Sequence, residues 1–162
     1  MPTPRPRRRA AAPSAPPFRR VLLDTNLLLR PFQRTFRLLP ALLPWAPLSS
    51  LGIPTSVQGE LDRLVARGVP GAAAAAQLAG QFESVPSRAE GDRAMLELAE
   101  RSGSVVATAD RELRQRLHEA GVGVLFPRGS GHLEYLPPGR PGRLPLNGPP
   151  RSKRSKERRG GP

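Results

Sequence analysis

The sequence predicts an α/β domain in which helices cover both faces of a central, mainly parallel sheet. Two observations predict this fold class. Between residues 21 and 136, short apolar runs alternate with longer stretches of helical character, as strands and helices alternate around a parallel sheet. Asp24 and Asp110 also stand just beyond two of the apolar runs, where the carboxyl ends of parallel strands form ligand sites.

The first predicted elements are a strand, a short helix and a second strand. Val21, Leu22 and Leu23 form an apolar run that stops at Asp24, which is typical of a buried strand. Residues 35–46 are mostly apolar and contain one arginine, which predicts a short helix, broken near Pro44 and Pro47. We expect a weak strand at residues 51–53.

Two helix starts carry capping signatures. Residues 55–58 read T-S-V-Q and residues 87–90 read S-R-A-E, and both fit the capping box in which a hydroxyl and a Glu or Gln side chain satisfy free backbone amides. The first signature predicts a helix that ends near Arg67. The second predicts a helix that ends near Arg101.

The remaining elements continue the alternation. Residues 70–80 are rich in alanine and predict a helix, and a strand is expected at residues 82–85. The clearest β segment is S-V-V-A-T at residues 104–108. A helix over residues 110–120 and a last strand over residues 122–126 complete the predicted domain.

The net charge of +13 lies entirely in the two ends of the chain. The first 20 residues carry six arginines and no acid, and residues 137–162 carry eight Lys or Arg against one Glu. The segment between them has twelve arginines and twelve acids. We therefore predict disordered basic tails at residues 1–19 and 137–162 around a folded domain at residues 20–136. Such tails suit the RNA backbone, although arginine-rich composition alone would also produce them.

Several classes of protein are excluded or disfavoured by composition. The chain has no cysteine, which excludes disulfides, thiol nucleophiles and iron–sulfur or zinc–cysteine sites. It has no apolar run long enough to span a bilayer and no secretory signal, so we expect no membrane association and a cytoplasmic location. Residues 21–136 contain no lysine, which argues against receiver domains and haloacid-dehalogenase-like phosphatases.

Four acids stand where solvated charges are not expected. Asp24 and Asp110 follow strands, Asp92 begins an apolar helical stripe, and Glu60 lies at the margin of another. A doubly wound sheet would bring all four to one rim, where one or two Mg²⁺ or Mn²⁺ ions would relieve their repulsion. Such ions can activate water and stabilise the leaving oxygen of a phosphodiester. Asp110 could equally be a helix cap.

Four segments, taken together, resemble the motifs of PIN-domain nucleases. Residues 21–26, V-L-L-D-T-N, resemble the opening strand of that family. Residues 56–61, S-V-Q-G-E-L, look like its second motif, and residues 92–99, D-R-A-M-L-E-L-A, look like its third. Residues 108–113, T-A-D-R-E-L, are similar to the fourth. The resemblance covers roughly residues 20–135, in the order and spacing of the family.

The resemblance implies a three-layer α/β/α fold and a Mg²⁺- or Mn²⁺-dependent endoribonuclease. By position, the metal ligands would be Asp24, Glu60, Asp92 and Asp110. Thr108 and Asn26 would orient the ligands or the attacking water. Glu112 could supply a further acid, although helical periodicity favours an exposed position for it. Arg93 is a departure, since relatives often carry a second Asp there.

The biological role is left open between three alternatives. Residues 31–33, P-F-Q, look closer to ribosomal RNA-processing relatives than to short toxins, which favours RNA processing. A VapC-type toxin, held inactive by an antitoxin partner, is the second alternative. A non-catalytic RNA-binding scaffold in ribosome assembly is the third. The sequence does not give the RNA target, the number of metal ions or the oligomeric state, and a homodimer is common in the family.

Overall fold

The computed structural model describes residues 18–139, and the greater part of both basic tails lies outside them. Helices and strands alternate along most of this segment. The six strands are β1 (Val21–Leu23), β2 (Leu51–Pro54), β3 (Glu83–Val85), β4 (Val105–Ala107), β5 (Val124–Arg128) and β6 (His132–Leu136). The six helices are α1 (Thr25–Gln33), α2 (Leu38–Leu42), α3 (Thr55–Ala66), α4 (Ala72–Ala79), α5 (Gly91–Ser102) and α6 (Arg111–Glu119).

The strands form one sheet in the order β3-β2-β1-β4-β5-β6. The first five strands in this order are parallel, and β6 pairs antiparallel with β5. Val21 of β1 is in register with Leu51 of β2 on one side and with Val105 of β4 on the other. The predicted α/β class with a mainly parallel sheet is confirmed.

The core is built around β1, whose three residues are completely inaccessible to solvent. A strand that is buried on both faces needs apolar side chains in every position, which is why Val-Leu-Leu shows no alternation with polar residues. Strand order reverses on either side of β1, because β2 follows it in sequence on one side and β4 lies on the other. The crevice between β1 and β4 at their carboxyl ends is therefore the topological switch point, where ligands bind in open α/β sheets.

Two elements differ from the sequence predictions. Helix α1 was not predicted, because Pro31 lies inside it and interrupts the helical pattern. Strand β6 was not predicted either, and residues after 126 were expected to lack regular structure. Its alternation of Leu133 and Tyr135 with polar residues was a usable signal. The strand reverses direction from β5 through a turn that contains Gly129, which has a positive φ of 58°.

Both predicted capping boxes are wrong. Thr55 is the first residue of α3 and not its cap, and α5 begins at Gly91, four residues after Ser87. The two hydroxyl residues bond to each other instead: their oxygens are 3.0 Å apart, and Ser87 N–H donates to Thr55 Oγ1. Ser87 Oγ also accepts from the N–H of Ser56. This bridge fixes the start of α3 against the loop before α5, so the helices that carry Glu60 and Asp92 are held together.

No helix in residues 18–139 combines the length and the apolar character needed to cross a membrane.

We expect Ser87→Ala to lower the free energy of unfolding by about 0.5–1.5 kcal/mol, because it removes the acceptor of the Ser56 amide and one of the two contacts of the Thr55 hydroxyl. Glu90→Ala should change it by less than about 0.5 kcal/mol, since Glu90 makes no side-chain cap. Urea unfolding of both variants checks this. A loss with Glu90→Ala as large as that with Ser87→Ala would restore the capping-box interpretation.

Candidate active site

The centre of the site is a hydrogen bond between the segments that follow β1 and β4. Asp24 lies between β1 and α1, and Thr108 lies between β4 and α6. The Thr108 hydroxyl donates to Asp24 Oδ2 at 2.7 Å. Thr108 is completely buried, so its hydroxyl has no access to water and depends on this partner. The bond fixes the orientation of the Asp24 carboxylate at the switch point of the sheet.

Asn26 joins the same two segments. Its Oδ1 accepts from the backbone N–H of Ala109 at 2.9 Å and lies 3.3 Å from the Thr108 hydroxyl. The backbone N–H of Asp110 in turn donates to Thr108 Oγ1 at 3.1 Å. The structure therefore brings Asp24, Asn26 and Thr108 into one hydrogen-bond network. Their chemical roles stay predictions.

Glu60 reaches the site from α3 and is held by a threonine that the sequence analysis did not single out. The Thr25 hydroxyl donates to Glu60 Oε2 at 2.7 Å. Three polar residues are buried in the described part of the chain, and two of them are Thr25 and Thr108. Each of the two donates its hydroxyl to an acid of the site. The sequence feature that could have indicated a role for Thr25 is its position between Asp24 and Asn26, directly after β1 and at the start of α1.

Asp92 is the second residue of α5 and faces an arginine from α6. Arg116 Nη1 lies 3.5 Å from Asp92 Oδ2, and Arg116 Nη2 lies 3.3 Å from Glu112 Oε1. Arg116 was missed in the sequence, although its spacing of four residues from Glu112 indicated a pair on one helix face. Glu112 is exposed, as its periodicity predicted. Arg93 pairs with Glu97 along α5 and does not contact the four acids.

Asp110 caps α6. Its Oδ1 accepts from the backbone N–H of Glu112 at 2.8 Å and of Leu113 at 3.2 Å. This is the N-cap interpretation that the sequence left open. The cap accounts for an Asp at this position without any ion. Within the described residues, no side chain or backbone N–H donates to its other carboxylate oxygen.

The acids influence one another electrostatically. Burial raises the pKa of Asp24 from 3.8 to about 6, the Thr108 and Thr25 hydrogen bonds oppose this rise, and Glu60 and Asp92 add to it. Burial likewise raises the pKa of Asp92, and so does Asp110, while Arg116 opposes the rise. The Asp24 carboxylate is therefore poorly solvated and lies among other acids. This is the electrostatic condition that a bound cation would correct.

The acids do not form a closed coordination shell. Within residues 18–139, no three His, Cys, Asp or Glu side chains are placed to hold one metal ion together. Three of the acids are instead held by local partners: Glu60 by Thr25, Asp92 by Arg116 and Asp110 by the first turn of α6. The arrangement provides a partly buried carboxylate with other acids around it, and an ion there would compete with Arg116 for Asp92.

The metal-free protein should become less stable as the pH rises from about 4 to about 6. In this window the Asp24 carboxyl keeps its proton in the folded chain, while the same group in the unfolded chain ionises near 3.8. The folded state therefore binds more protons, and the free energy of unfolding falls by on the order of 2–3 kcal/mol across the window. Asp24→Asn should remove this loss and be the more stable protein above pH 6.

Thermal or urea unfolding in EDTA at several pH values measures the effect. Asp62→Asn is the matched control, because Asp62 is exposed on the same helix as Glu60 and its substitution makes the same change in charge. The control should follow the wild-type profile. If Asp24→Asn also runs parallel to the wild type from pH 4 to pH 8, the burial of a charged Asp24 is not a cost to the fold.

Comparisons with known proteins agree with this fold. A family model described as a PIN-like domain matches residues 21–130. Ribonuclease VapC9 of Archaeoglobus fulgidus is 32% identical over 107 residues, which is 64% of this chain and 78% of that protein.

Two solved structures are similar in fold. The PIN domain endonuclease Utp24 has a TM-score of 0.58 at 22% identity, over 75% of this chain and 95% of its own. A domain of a functionally unknown protein from Methanocaldococcus jannaschii has a TM-score of 0.52 at 13% identity, over 69% of this chain and 93% of its own. The match of the family model over most of the described residues shows that this chain belongs to the PIN-like domain family.

Proposed function

We propose that this protein is a divalent-metal-dependent endoribonuclease. The observation that carries the proposal is the carboxylate of Asp24, which Thr108 fixes at the switch point of the sheet among other acids. Membership of the PIN-like family and the 32% identity to a protein named ribonuclease VapC9 support the same activity. The substrate is an RNA phosphodiester, and RNA processing is the role that we favour.

The donor chemistry of the site fits Mg²⁺ or Mn²⁺. Both ions prefer oxygen ligands, and the site offers the carboxylates of Asp24, Glu60, Asp92 and Asp110. A pKa of about 6 leaves Asp24 ionised at neutral pH, which is the form that binds a cation. When bound, one or two such ions would activate water and neutralise charge on the phosphodiester. No sulfur or histidine ligand is needed.

The residues around the acids would act as positioning groups. Thr108 donates to Asp24 and so turns the remaining lone pairs of that carboxylate toward the crevice. Asn26 fixes the loop between Thr108 and Asp110 through the Ala109 amide. Thr25 holds Glu60 in the same way that Thr108 holds Asp24. Ligands that are oriented by a second layer of hydrogen bonds typically lose 10–100-fold in metal affinity or activity when that layer is removed, as a rough guide.

We also propose that the basic segments at residues 1–19 and 137–162 bind the RNA backbone outside the folded domain. Together they carry the whole positive excess of the chain. Each phosphate that they neutralise releases counterions, which gives affinity that depends on salt and not on sequence. A homodimer and a cytoplasmic location remain predictions.

A toxin ribonuclease with an antitoxin partner is the second candidate. The similarity to ribonuclease VapC9 over 78% of that protein favours it. A toxin of this kind should arrest growth when it is expressed alone, and Asp24→Asn should abolish the arrest. A processing enzyme should not arrest growth at the same level of expression. The non-catalytic scaffold is the third candidate, and it predicts RNA binding without cleavage.

Purified protein should cleave a structured RNA in Mg²⁺ or Mn²⁺ and not in EDTA. Asp24→Asn and Asp92→Asn should each lower the rate by at least about 100-fold, because each removes a charged ligand. Thr108→Val should lower it by roughly 10–100-fold through the orientation of Asp24. The measurement is the initial rate on a 5′-labelled RNA, with Asp62→Asn as the control that keeps wild-type activity.

Binding of this RNA without cleavage in any metal would contradict the nuclease and favour the scaffold. Cleavage that persists in EDTA would contradict the role of the metal. Cleavage in metal that Asp24→Asn and Asp62→Asn affect equally would place the active site elsewhere on the domain.

Arg116→Gln should strengthen Mn²⁺ binding by about 2- to 5-fold. Arg116 is the counter-charge of Asp92, and the loss of an exposed ion pair of this kind changes the competition by at most about 1 kcal/mol. Calorimetric titration with Mn²⁺ measures the dissociation constant. Arg93→Gln is the control, since it also breaks an exposed ion pair on α5 but not one with the four acids. Weaker binding in Arg116→Gln would mean that Arg116 supports the site and does not compete with the ion.

A further inference from the structure

A cleft rich in arginine lies directly beside the acid rim. It has a volume of about 490 Å³. Its walls come from α1 and the residue that follows it, from α6 and from β5. They include Phe126 and five arginines: Arg30, Arg34, Arg111, Arg114 and Arg128. Five of the twelve arginines between residues 21 and 136 thus gather in one place, although that segment has no net charge. The charge pattern of the sequence predicted RNA binding by the tails and gave no sign of this cleft.

The cleft and the acid rim share a wall. Ala109 lines the cleft, and its N–H donates to Asn26 within the network of the site. Its neighbours in the chain are Thr108, which orients Asp24, and Asp110. Arg30 lies one helical turn beyond Asn26 on α1. A polymer bound across the acids would therefore pass into the cleft without leaving the surface of the domain.

The positive charge in the cleft is poorly compensated by the protein. Within residues 18–139, Arg128 alone among the five is ion-paired, with Glu134 at 3.0 Å. Burial lowers the pKa of Arg114, and the neighbouring Arg111 and Arg128 lower it further. Cations that are gathered without partners repel one another, so their proximity costs free energy unless an anion binds between them.

Three of the five guanidinium groups lie against aromatic rings. The guanidinium carbon of Arg114 lies 4.2 Å from the centroid of the Phe126 ring, and that of Arg128 lies 5.6 Å from the same centroid. Arg30 lies 5.5 Å from the Phe36 ring centroid. Stacking on a ring face restricts the guanidinium and leaves the N–H groups at its edge free to donate. Such pre-organised donors suit the paired oxygens of a phosphate.

We infer that this cleft binds phosphate groups of the RNA on one side of the bond that is cut. The inference rests on the proposed function, since it gives the substrate of that site a second point of attachment. It also answers an electrostatic difficulty, because an acid rim alone repels a polyanion. The volume is within the range of pockets that enclose small ligands, roughly 300–1,000 Å³, and so admits a nucleotide. An acidic peptide is the competing occupant, and RNA is favoured by the wall shared with the acids.

The test is RNA binding by the full chain carrying three substitutions, Arg30→Gln, Arg34→Gln and Arg114→Gln. Arg30 lies on α1, Arg34 follows the last residue of α1, and Arg114 lies on α6. None of the three has an acidic partner within the described residues. Arg111 is left intact because it adjoins Asp110. Binding of a fluorescent single-stranded RNA is measured by anisotropy in EDTA across a salt series, so the readout does not need cleavage. Circular dichroism and thermal unfolding verify that the variant is folded.

The matched control carries Arg67→Gln, Arg88→Gln and Arg101→Gln. These three arginines are exposed, lie outside the cleft and make no ion pair within residues 18–139, so the control has the same net charge as the test variant. A third variant replaces the cleft arginines by lysine. It keeps the charge and serves as a second test if the glutamine variant does not fold.

The cleft variant should bind RNA at least about 10-fold more weakly than the wild type. Its slope of log affinity against log salt should fall by about 0.7 for each phosphate contact that is lost. The control should stay within about 2-fold of the wild type, and the lysine variant should keep most of the salt slope. In metal, the cleft variant should show a raised KM with a smaller change in kcat, because its metal ligands are untouched.

Equal losses in the cleft variant and the control would overturn the inference, since net charge alone would then explain binding. Unchanged RNA binding in the cleft variant would overturn it as well and would favour an acidic peptide as the occupant. These outcomes are separate from those that test the nuclease. Failure to cleave RNA in any metal, with binding lost selectively in the cleft variant, would remove the proposed activity and leave the cleft as an RNA-binding site.

Discussion

The hydrogen bond from Thr108 to Asp24 joins the two strands on which the site depends. It connects the residues that follow β1 and β4 at the one place where the order of the sheet reverses. Thr108 is completely buried and Asp24 is partly buried, so each side chain needs the other in order to stay in the core. The bond lowers the free-energy cost of burying the Asp24 carboxylate. It does not cancel that cost, because the pKa of Asp24 is still raised.

Charged side chains of both signs lie around the partly buried Asp24 carboxylate. Acids from α3 and α5 add negative charge near Asp24, while arginines from α1 and α6 collect on the other side of Ala109. A segment with no net charge is therefore strongly polarised at one rim. The acid half suits a divalent cation and the arginine half suits phosphate, which are the two charges that a metal-dependent cut in RNA brings together. The proposed function and the proposed cleft use the two halves of the same rim.

The fold class and the place of Asp24 at the carboxyl edge of the sheet could be predicted because they depend on local patterns. A strand buried on both faces must be apolar throughout, as β1 is, and an acid directly after it falls at the carboxyl edge. The bridge from Thr55 to Ser87, the contact of Arg116 with Asp92 and the arginine cleft join residues far apart in the chain. Capping motifs and charge counts describe residues that are close in the sequence, so they do not predict contacts between residues that are far apart in the chain.

The most direct test of the central claim is anomalous diffraction from crystals grown with Mn²⁺ near pH 7.5. We predict a manganese peak at the Asp24 carboxylate, with Asp92 or Glu60 as a further ligand, and no peak at that place in Asp24→Asn. Manganese bound only at exposed acids elsewhere, such as Glu97 or Glu100, or no manganese at the rim at millimolar concentration, would contradict the account. The acids would then be held by Thr25, Thr108 and Arg116 for structural reasons alone.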